Sequence, residues 1–192
     1  MALPLIAAGL ALGAAILHES NKKHYKNLEI DRNNRDGEQD YKPDLVKSPS
    51  DSYNRGFSVK PLAGSIVCCE VYNFLDHTGI WIDEFTIIEL SNSGLIKSVS
   101  ADRFLQERSG QNIFVACDNN HQPIVIPGAQ KRALENVYSY REYDVIENNC
   151  HRFVNYCLTG FNDELSRFTT LNKQIAKLSG KHVYWDKVQK TT

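Results

Sequence analysis

The pattern of apolar and polar positions divides the chain into a hydrophobic start, a polar stretch and a folded body. Residues 2–17 are sixteen uncharged, mostly apolar residues. Residues 18–56 alternate charges of both signs and are rich in turn formers, so they cannot bury enough surface to offset the entropy of ordering. We therefore predict an anchor helix over 1–17, a polar linker over 18–56, a domain over 57–165, and a basic C-terminal tail over 166–192.

Short apolar and β-branched runs within the body predict strands, because turn formers bound each run. The runs are residues 64–72, 77–82, 85–90 and 112–117, with a further candidate at 95–100. Apolar residues at helical spacing predict helices over 101–110 and over 129–140. Together these elements indicate an α+β domain with a small antiparallel sheet.

The helix predicted after Asn149 carries the most informative pattern. Asn149 suits an N-cap and Gly160 suits the position after a helix end. The first turn of a helix has unsatisfied backbone N–H groups and a positive dipole, which lower the pKa of a thiol there below its usual value of about 8.5. The apolar positions of this helix form one face that meets the sheet: Cys150, Phe153, Val154, Cys157 and Leu158.

Charge and cysteine content narrow the possible partners and the compartment. Lys and Arg number 22 against 23 Asp and Glu, and this net charge of −1 argues against a nucleic-acid partner. The five cysteines are odd in number and two are adjacent, which does not suit a disulfide framework and favours a reducing compartment. The chain has no CxxC or HxxxH pair, so neither a metal nor another cofactor is implied. Cysteines other than Cys150 fit core positions, as free cysteines usually do.

The hydrophobic start is close to the length of a membrane span, since a helix needs at least about 17 residues to cross the hydrocarbon core. Gly9 and Gly13 have the GxxxG spacing of packed membrane helices. Basic residues follow directly, which predicts a cytoplasmic body by the positive-inside rule: Lys22, Lys23 and Lys26. A cleaved signal peptide would need a basic n-region, and a buried helix of the domain would not precede so polar a stretch. We favour a membrane anchor.

A nucleophilic cysteine needs a base, and His77 is the candidate on a predicted strand. His151 directly follows Cys150, so the two side chains diverge by roughly 100° on a helix, and we expect it to be a poor partner. The other histidines fall in the linker, a turn or the tail: His18, His24, His121 and His182.

Glu89 interrupts an apolar run on the next strand and is a candidate partner for His77. A three-residue loop over 82–84 would set His77 directly opposite Glu89, with Cβ atoms about 4.5–5.5 Å apart. A two-residue turn at 83–84 would instead turn Glu89 to the other face of the sheet, because a shift of one residue reverses the face. An edge-strand glutamate that faces water is the alternative.

Three segments within residues 60–160 carry the three candidate residues: HTGIWI, IIEL and NNCHRFV. They resemble the lecithin retinol acyltransferase family, which belongs to the circularly permuted branch of the NlpC-type, papain-like thiol enzymes. The family has His-x-Gly-Ile-Tyr, a second His twelve residues later, and Asn-Cys-Glu-His-Phe-Val at a helix start. Glu89 replaces the second His here, and His151 with Arg152 replaces the Glu-His after the nucleophile. The matching residues are His77, Asn149, Cys150, Phe153 and Val154.

The resemblance implies a permuted papain-like fold in which Cys150 is the nucleophile, His77 the base and Glu89 the residue that orients the base. It implies a cysteine-dependent acyltransferase or acyl hydrolase that forms a thioester. Together with the membrane anchor predicted at residues 2–17, the analogy with this family suggests lipid acyl groups as the substrate. The permuted deubiquitinase-like PPPDE peptidases are also similar, through HTGI and YDVIENNC followed by LTG. An isopeptidase, a cell-wall amidase and an inactive membrane-tethered binding protein are therefore alternatives.

Overall fold

The computed structural model describes residues 58–71, 75–106 and 108–189, which form seven strands and four helices in an α+β arrangement. The predicted α+β class is confirmed, and the sheet is mostly antiparallel. The helices are α1 (Ala101–Leu105), α2 (Ala129–Glu135), α3 (Cys150–Thr159) and α4 (Phe168–Ser179). The strands are β1 (Ser58–Val59), β2 (Ile66–Val71), β3 (Leu75–Asp83), β4 (Thr86–Leu90), β5 (Ile96–Val99), β6 (Ile113–Cys117) and β7 (Tyr184–Val188).

The strands form one sheet in the order β1-β7-β6-β2-β3-β4-β5, in which only the β1–β7 pair is parallel. Side chains alternate between the two faces, and each face has its own core. Ile66, Ile80 and Ile88 face the core that α2, α3 and α4 cover. Val67 and Ile87 face the second core, which contains Phe104 of α1. The helix that begins at Cys150 thus packs on one face, over β3 and β4.

The register of β3 with β4 differs from both registers that the sequence suggests. Ile80 pairs with Ile88 and Trp81 with Ile87, but Asp83 pairs with Thr86, so the register shifts at Ile82. Continued along the strands, this register sets Gly79 across from Glu89. The register with His77 directly opposite Glu89, which was one of the two alternatives, is therefore not the one found. The two residues still share a face, because His77 is two residues from Gly79 and so lies diagonal to Glu89.

Two predicted helices are shorter in the structure because tertiary contacts take over their last residues. The chain leaves α1 at Gln106, whose backbone is extended, and Gly110 then donates a hydrogen bond to the backbone of Glu70 on β2. The chain leaves α2 before Tyr138, whose N–H donates to the carbonyl of Ile96. Pairing with the sheet therefore replaces helical bonds in both places.

The segment set apart as a basic tail contributes α4 and β7 to the fold. β7 is an inner strand, paired with β1 on one side and β6 on the other. Leu171 and Ile175 of α4 are fully buried, as is Trp185 of β7. The apolar face of α4 and the aromatic pair at the start of β7 explain this placement, since both need to be buried.

The predicted anchor over 1–17 and the predicted linker over 18–56 both lie outside the described residues. Among the residues that the structure does describe, no helix has the length and apolar character needed to cross a bilayer.

Candidate active site

The start of α3 is fixed by its N-cap, Asn149. The Oδ1 atom of Asn149 accepts hydrogen bonds from the backbone N–H groups of His151, at 3.0 Å, and Arg152, at 3.4 Å. Its Nδ2 donates to the carbonyls of Val145, at 2.8 Å, and Ser166, at 2.7 Å. One side chain therefore ties the helix start to the loops before it and after it, and Cys150 is held as the first residue of the helix.

The Cys150 thiol is 4% exposed and lies close to two histidines. It is a hydrogen-bonding neighbour of the His77 imidazole. Its Sγ lies 3.8 Å from Nδ1 of His151 and 4.0 Å from the backbone carbonyl oxygen of Asp76. The predicted nucleophile and the predicted base thus meet, and the second imidazole is one that we expected to point away.

His77 is held by the carboxylate of Glu89 and by an aromatic ring. Its Nε2 lies 2.7 Å from Oε2 of Glu89, and its ring centroid lies 5.1 Å from that of Phe104. A carboxylate can only accept, so Nε2 carries a proton and donates it to this bond. Nδ1 is then the ring nitrogen left to face the thiol, and the tautomer of the neutral ring is fixed.

Glu89 is 1% exposed and is surrounded by positive charge. Besides His77, it meets Nη2 of Arg108 at 2.9 Å and Nζ of Lys97 at 3.5 Å. Burial alone would raise the pKa of this carboxyl, but the hydrogen bond and charge of His77, then Arg108 and Lys97, lower it below its usual value. Glu89 is therefore ionised and can stabilise an imidazolium at His77.

The two histidines also determine the protonation state of the thiol. Burial would raise the pKa of Cys150, but the charges of His151 and then His77, with hydrogen bonds from both rings, hold it well below its usual value. Burial likewise opposes a charge on His77, yet the Cys150 charge and the bonds to Cys150 and Glu89 raise the pKa of His77. The favoured state is a thiolate beside an imidazolium, which is a reactive nucleophile.

Two further groups near the thiol were not found by sequence reasoning. Burial raises the pKa of Asp76 to about 7, against a lowering by the charge of His151. Burial, with a contribution from the Cys150 charge, raises the pKa of Tyr143 to about 12, so its phenol stays protonated. Asp76 directly precedes His77 on β3, and this adjacency was the available signal for it in the sequence. Nothing local in the sequence indicated Tyr143.

The remaining cysteines behave as core residues, as predicted. All five cysteines are free and buried. Burial raises the pKa of Cys69 and of Cys157 to about 12, and raises that of Cys68 well above its usual value. Low thiol pKa therefore distinguishes Cys150 from these three. In the part of the chain that the structure covers, no group of His, Cys, Asp and Glu has the arrangement of a metal site.

The structure therefore brings together the three residues singled out from the sequence, Cys150, His77 and Glu89, in one buried cluster. It adds His151 to them. When the chain is compared with models of known protein families and with curated proteins, none of them matches it.

Proposed function

We propose that this protein is a cysteine-dependent acyltransferase or acyl hydrolase that works through a thioester at Cys150. The observation that carries the proposal is the contact of the Cys150 thiol with His77, whose other ring nitrogen is bonded to buried Glu89. A thiol, an imidazole and an orienting acid in this order are the components of nucleophilic thiol catalysis. The corresponding finer fold assignment, a permuted papain-like domain, belongs to the same proposal.

The proposed reaction has two steps. The thiol proton passes to Nδ1 of His77, and Sγ of Cys150 attacks an ester or amide carbonyl, after which the carbon–oxygen or carbon–nitrogen bond breaks and His77 protonates the leaving group. An acceptor, which is water or an alcohol or amine, then loses its proton to His77 and attacks the thioester. The carbon–sulfur bond breaks and Cys150 leaves as the thiolate.

The negative oxygen of the tetrahedral intermediates needs hydrogen-bond donors. Since the Asn149 side chain already takes the N–H groups of His151 and Arg152, the backbone N–H of Cys150 itself is the helix-start donor that we assign to this oxygen. The protonated phenol of Tyr143 is a second candidate donor. One such donor lowers the activation barrier by about 3 kcal/mol in comparable enzymes.

Lipid acyl groups are the substrates that we propose, together with a membrane-anchored protein whose domain faces the cytoplasm. Two features support this: the resemblance to the lecithin retinol acyltransferase family, and the hydrophobic run at residues 2–17 with lysines after it. Five free cysteines fit a reducing compartment.

The test is mass spectrometry of the intact full-length protein after incubation with phospholipid vesicles or, separately, with isopeptide-linked peptides. We expect the protein incubated with vesicles to gain the mass of an acyl group, and we expect hydroxylamine to remove it. The added mass should be absent in Cys150→Ser and present in Cys157→Ala. An adduct only from the peptides would refute the lipid substrate in favour of an isopeptidase. No adduct from either, in protein that unfolds cooperatively, would leave a binding protein on this scaffold.

A further inference from the structure

His151 approaches the thiol from the opposite side of β3 to His77. His77 contacts Glu89 and Phe104, which lie on the face with the second core. His151 contacts Thr78, the next residue of β3, whose side chain points to the other face. Cys150 lies where β3 begins, so both imidazoles reach its sulfur.

The ring of His151 is held in one position. Its Nδ1 lies 3.1 Å from the hydroxyl oxygen of Thr78, which is fully buried. Its ring centroid lies 5.6 Å from that of Phe168, which in turn lies 5.3 Å from Trp185. These contacts come from β3, α4 and β7, so the orientation of His151 is set by the tertiary fold.

The same nitrogen that meets Thr78 also meets the sulfur, at 3.8 Å. A protonated Nδ1 can donate to the thiolate and to the hydroxyl oxygen, whereas an unprotonated Nδ1 could only accept a hydrogen bond from the hydroxyl and would give the thiolate no donor. After burial, the charge of His151 is the largest influence on the thiol, ahead of that of His77. His151 is thus placed to hold negative charge on sulfur.

We propose that His151 is a second catalytic imidazole, whose Nδ1–H stabilises the Cys150 thiolate while His77 transfers the protons. This inference rests on the proposed thioester mechanism and assigns a different role in it to each histidine. In the first step His151 keeps its proton and His77 takes the thiol proton. In the second step the carbon–sulfur bond breaks with its electron pair on sulfur, and the N–H of His151 stabilises that leaving thiolate.

Other ionisable groups also face the sulfur, and any measurement of its protonation includes them. Asp76 of β3 opposes the thiolate through its negative charge and is itself influenced by His151. The remaining groups that interact with the charge of Cys150 are Cys68 and Cys69 of β2 and Tyr143 of the loop before α3. None of these four groups supplies a positive charge. Of the groups that interact with the Cys150 thiolate, the two histidines are therefore the ones that stabilise its charge.

The test compares two substitutions that differ in where they place an amide. In His151→Asn the side-chain nitrogen takes the place of Nδ1 and keeps a donor near sulfur, whereas in His151→Gln it takes the place of Nε2. The rate of Cys150 alkylation by iodoacetamide is measured in the full-length protein from pH 5 to 9, with the modified peptide identified by mass. His182→Gln, just before β7, is the control.

We expect His151→Gln to slow alkylation at pH 6 by tenfold or more, which is a rise of about one unit in the pKa of the thiol. We expect His151→Asn to stay within about threefold of wild type, because one donor to sulfur remains. A Gln variant that matches wild type, or equal slowing in both variants, would overturn the proposal.

A measurement on the wild-type protein does not depend on how the variants fold. The ¹⁵N chemical shifts of the His151 ring should show a protonated Nδ1 at pH 7, and an unprotonated Nδ1 would overturn the proposal. Neither readout needs a substrate, so failure of the acyl-adduct experiment and failure of this one are distinguishable. His77→Gln separates the two roles: it should abolish adduct formation, whereas alkylation at pH 6 should slow but remain measurable, because His151 still stabilises the thiolate.

Discussion

At the scale of single residues, the molecule keeps a carboxylate almost wholly out of water by surrounding it with cations. Glu89 meets His77, Arg108 and Lys97, and the side chain of Arg108 is itself only 14% exposed. The second terminal nitrogen of Arg108, Nη1, is buried without a hydrogen-bond partner. The charge of Glu89 is therefore needed both to orient the imidazole and to balance a partly buried guanidinium.

Replacing Glu89 by Gln keeps its shape and removes its charge. We expect the free energy of unfolding to fall by about 2–4 kcal/mol, because Arg108 loses its buried counter-charge. We also expect at least a tenfold slower acylation of Cys150, since the imidazolium of His77 loses its stabilising carboxylate. Urea denaturation and single-turnover adduct formation measure the two effects. Glu84→Gln, at an exposed position of the β3–β4 hairpin, is the control and should change neither.

Asp76 predicts a pH dependence of stability with an unusual sign for an acid. Its folded pKa of about 7 lies above the usual value of 3.8, so the folded state holds a proton that the unfolded state has lost between these values. Stability contributed by this group therefore falls as pH rises from about 4 to about 7. Asp76→Asn removes the cost of the buried charge, so we expect the variant to be more stable than wild type at pH 8 and nearly equal to it at pH 4.

Urea denaturation at pH 4 and pH 8 tests this difference, which we expect to be about 1–3 kcal/mol at pH 8. The exposed Asp163→Asn serves as control and should show no such pH-dependent gain. If Asp76→Asn is less stable than wild type at pH 8, the charged form of Asp76 stabilises the fold and the assignment is wrong.

The residues of the candidate site could be chosen from the sequence only where a local pattern carried the information. Capping by Asn149 and the helical spacing after it indicated the position of Cys150. The expectation that the side chains of Cys150 and His151 diverge was wrong for a physical reason: successive side chains on a helix do diverge, but an imidazole is long enough to turn back to the sulfur. The hydroxyl of Thr78, distant in sequence, holds it there.

At the scale of elements, the contact of His77 with Glu89 depends on a close approach of β3 to β4 at Gly79. A Cβ atom at this position would lie 2.9 Å from Cγ2 of Ile87 and 2.9 Å from the backbone oxygen of Ile88, and 3.0 Å from the ring of Phe104. A backbone oxygen in a sheet cannot move without changing the strand spacing. Glycine is therefore required here for packing.

Gly79→Ala should consequently separate the two strands where the site is built. We expect a loss of about 1–3 kcal/mol in the free energy of unfolding, as for other overpacked cores. Slower alkylation of Cys150 at pH 6 should accompany it, because His77 and Glu89 move apart. Gly180→Ala is the control: a Cβ atom at this position would meet no atom within 4 Å, but the backbone is left-handed, with φ at 67°. It should cost stability, by about 1–2 kcal/mol, without changing alkylation.

The same hairpin shows why elements are easier to predict than their register. Short apolar and β-branched runs located β3 and β4 to within two residues at each end. The shift at Ile82 changes which residues pair, and it is set by how the strands pack on both cores, which the local sequence does not express. The observed register differs by two positions from the one with His77 opposite Glu89, and a shift of two positions preserves the face, so His77 and Glu89 still meet.

At the scale of the whole molecule, residues distant in sequence complete both the sheet and the support of the site. β7 joins β1, the first described strand, to β6. Neither the parallel pairing of β1 nor the inner position of β7 has a local signal, because β7 is short and carries Asp186 and Lys187 among its apolar residues. A segment that looks like a polar tail by composition is therefore structurally central.

Trp185 of β7 links the sheet to the thiol through Phe168 and His151. Its side chain is fully buried, and its Nε1 donates to Oδ1 of Asn172 at 3.0 Å. Its ring supports Phe168, which packs against His151. Trp185→Ala should lower the free energy of unfolding by about 3–5 kcal/mol, as for other buried aromatic residues. In protein that remains folded, it should also slow alkylation of Cys150, because the ring of His151 loses its support.

The matched variant Lys187→Ala, on the same strand, should stay within about 0.5 kcal/mol of wild type. The loss of stability in Trp185→Phe should lie between those of Trp185→Ala and Lys187→Ala. The phenylalanine keeps an aromatic contact with Phe168 but leaves the Asn172 oxygen without its donor. Far-ultraviolet circular dichroism should follow the unfolding, because the substitution removes one of the two tryptophans. If Trp185→Ala loses stability while the alkylation rate stays at the wild-type value, β7 supports the sheet but does not position His151.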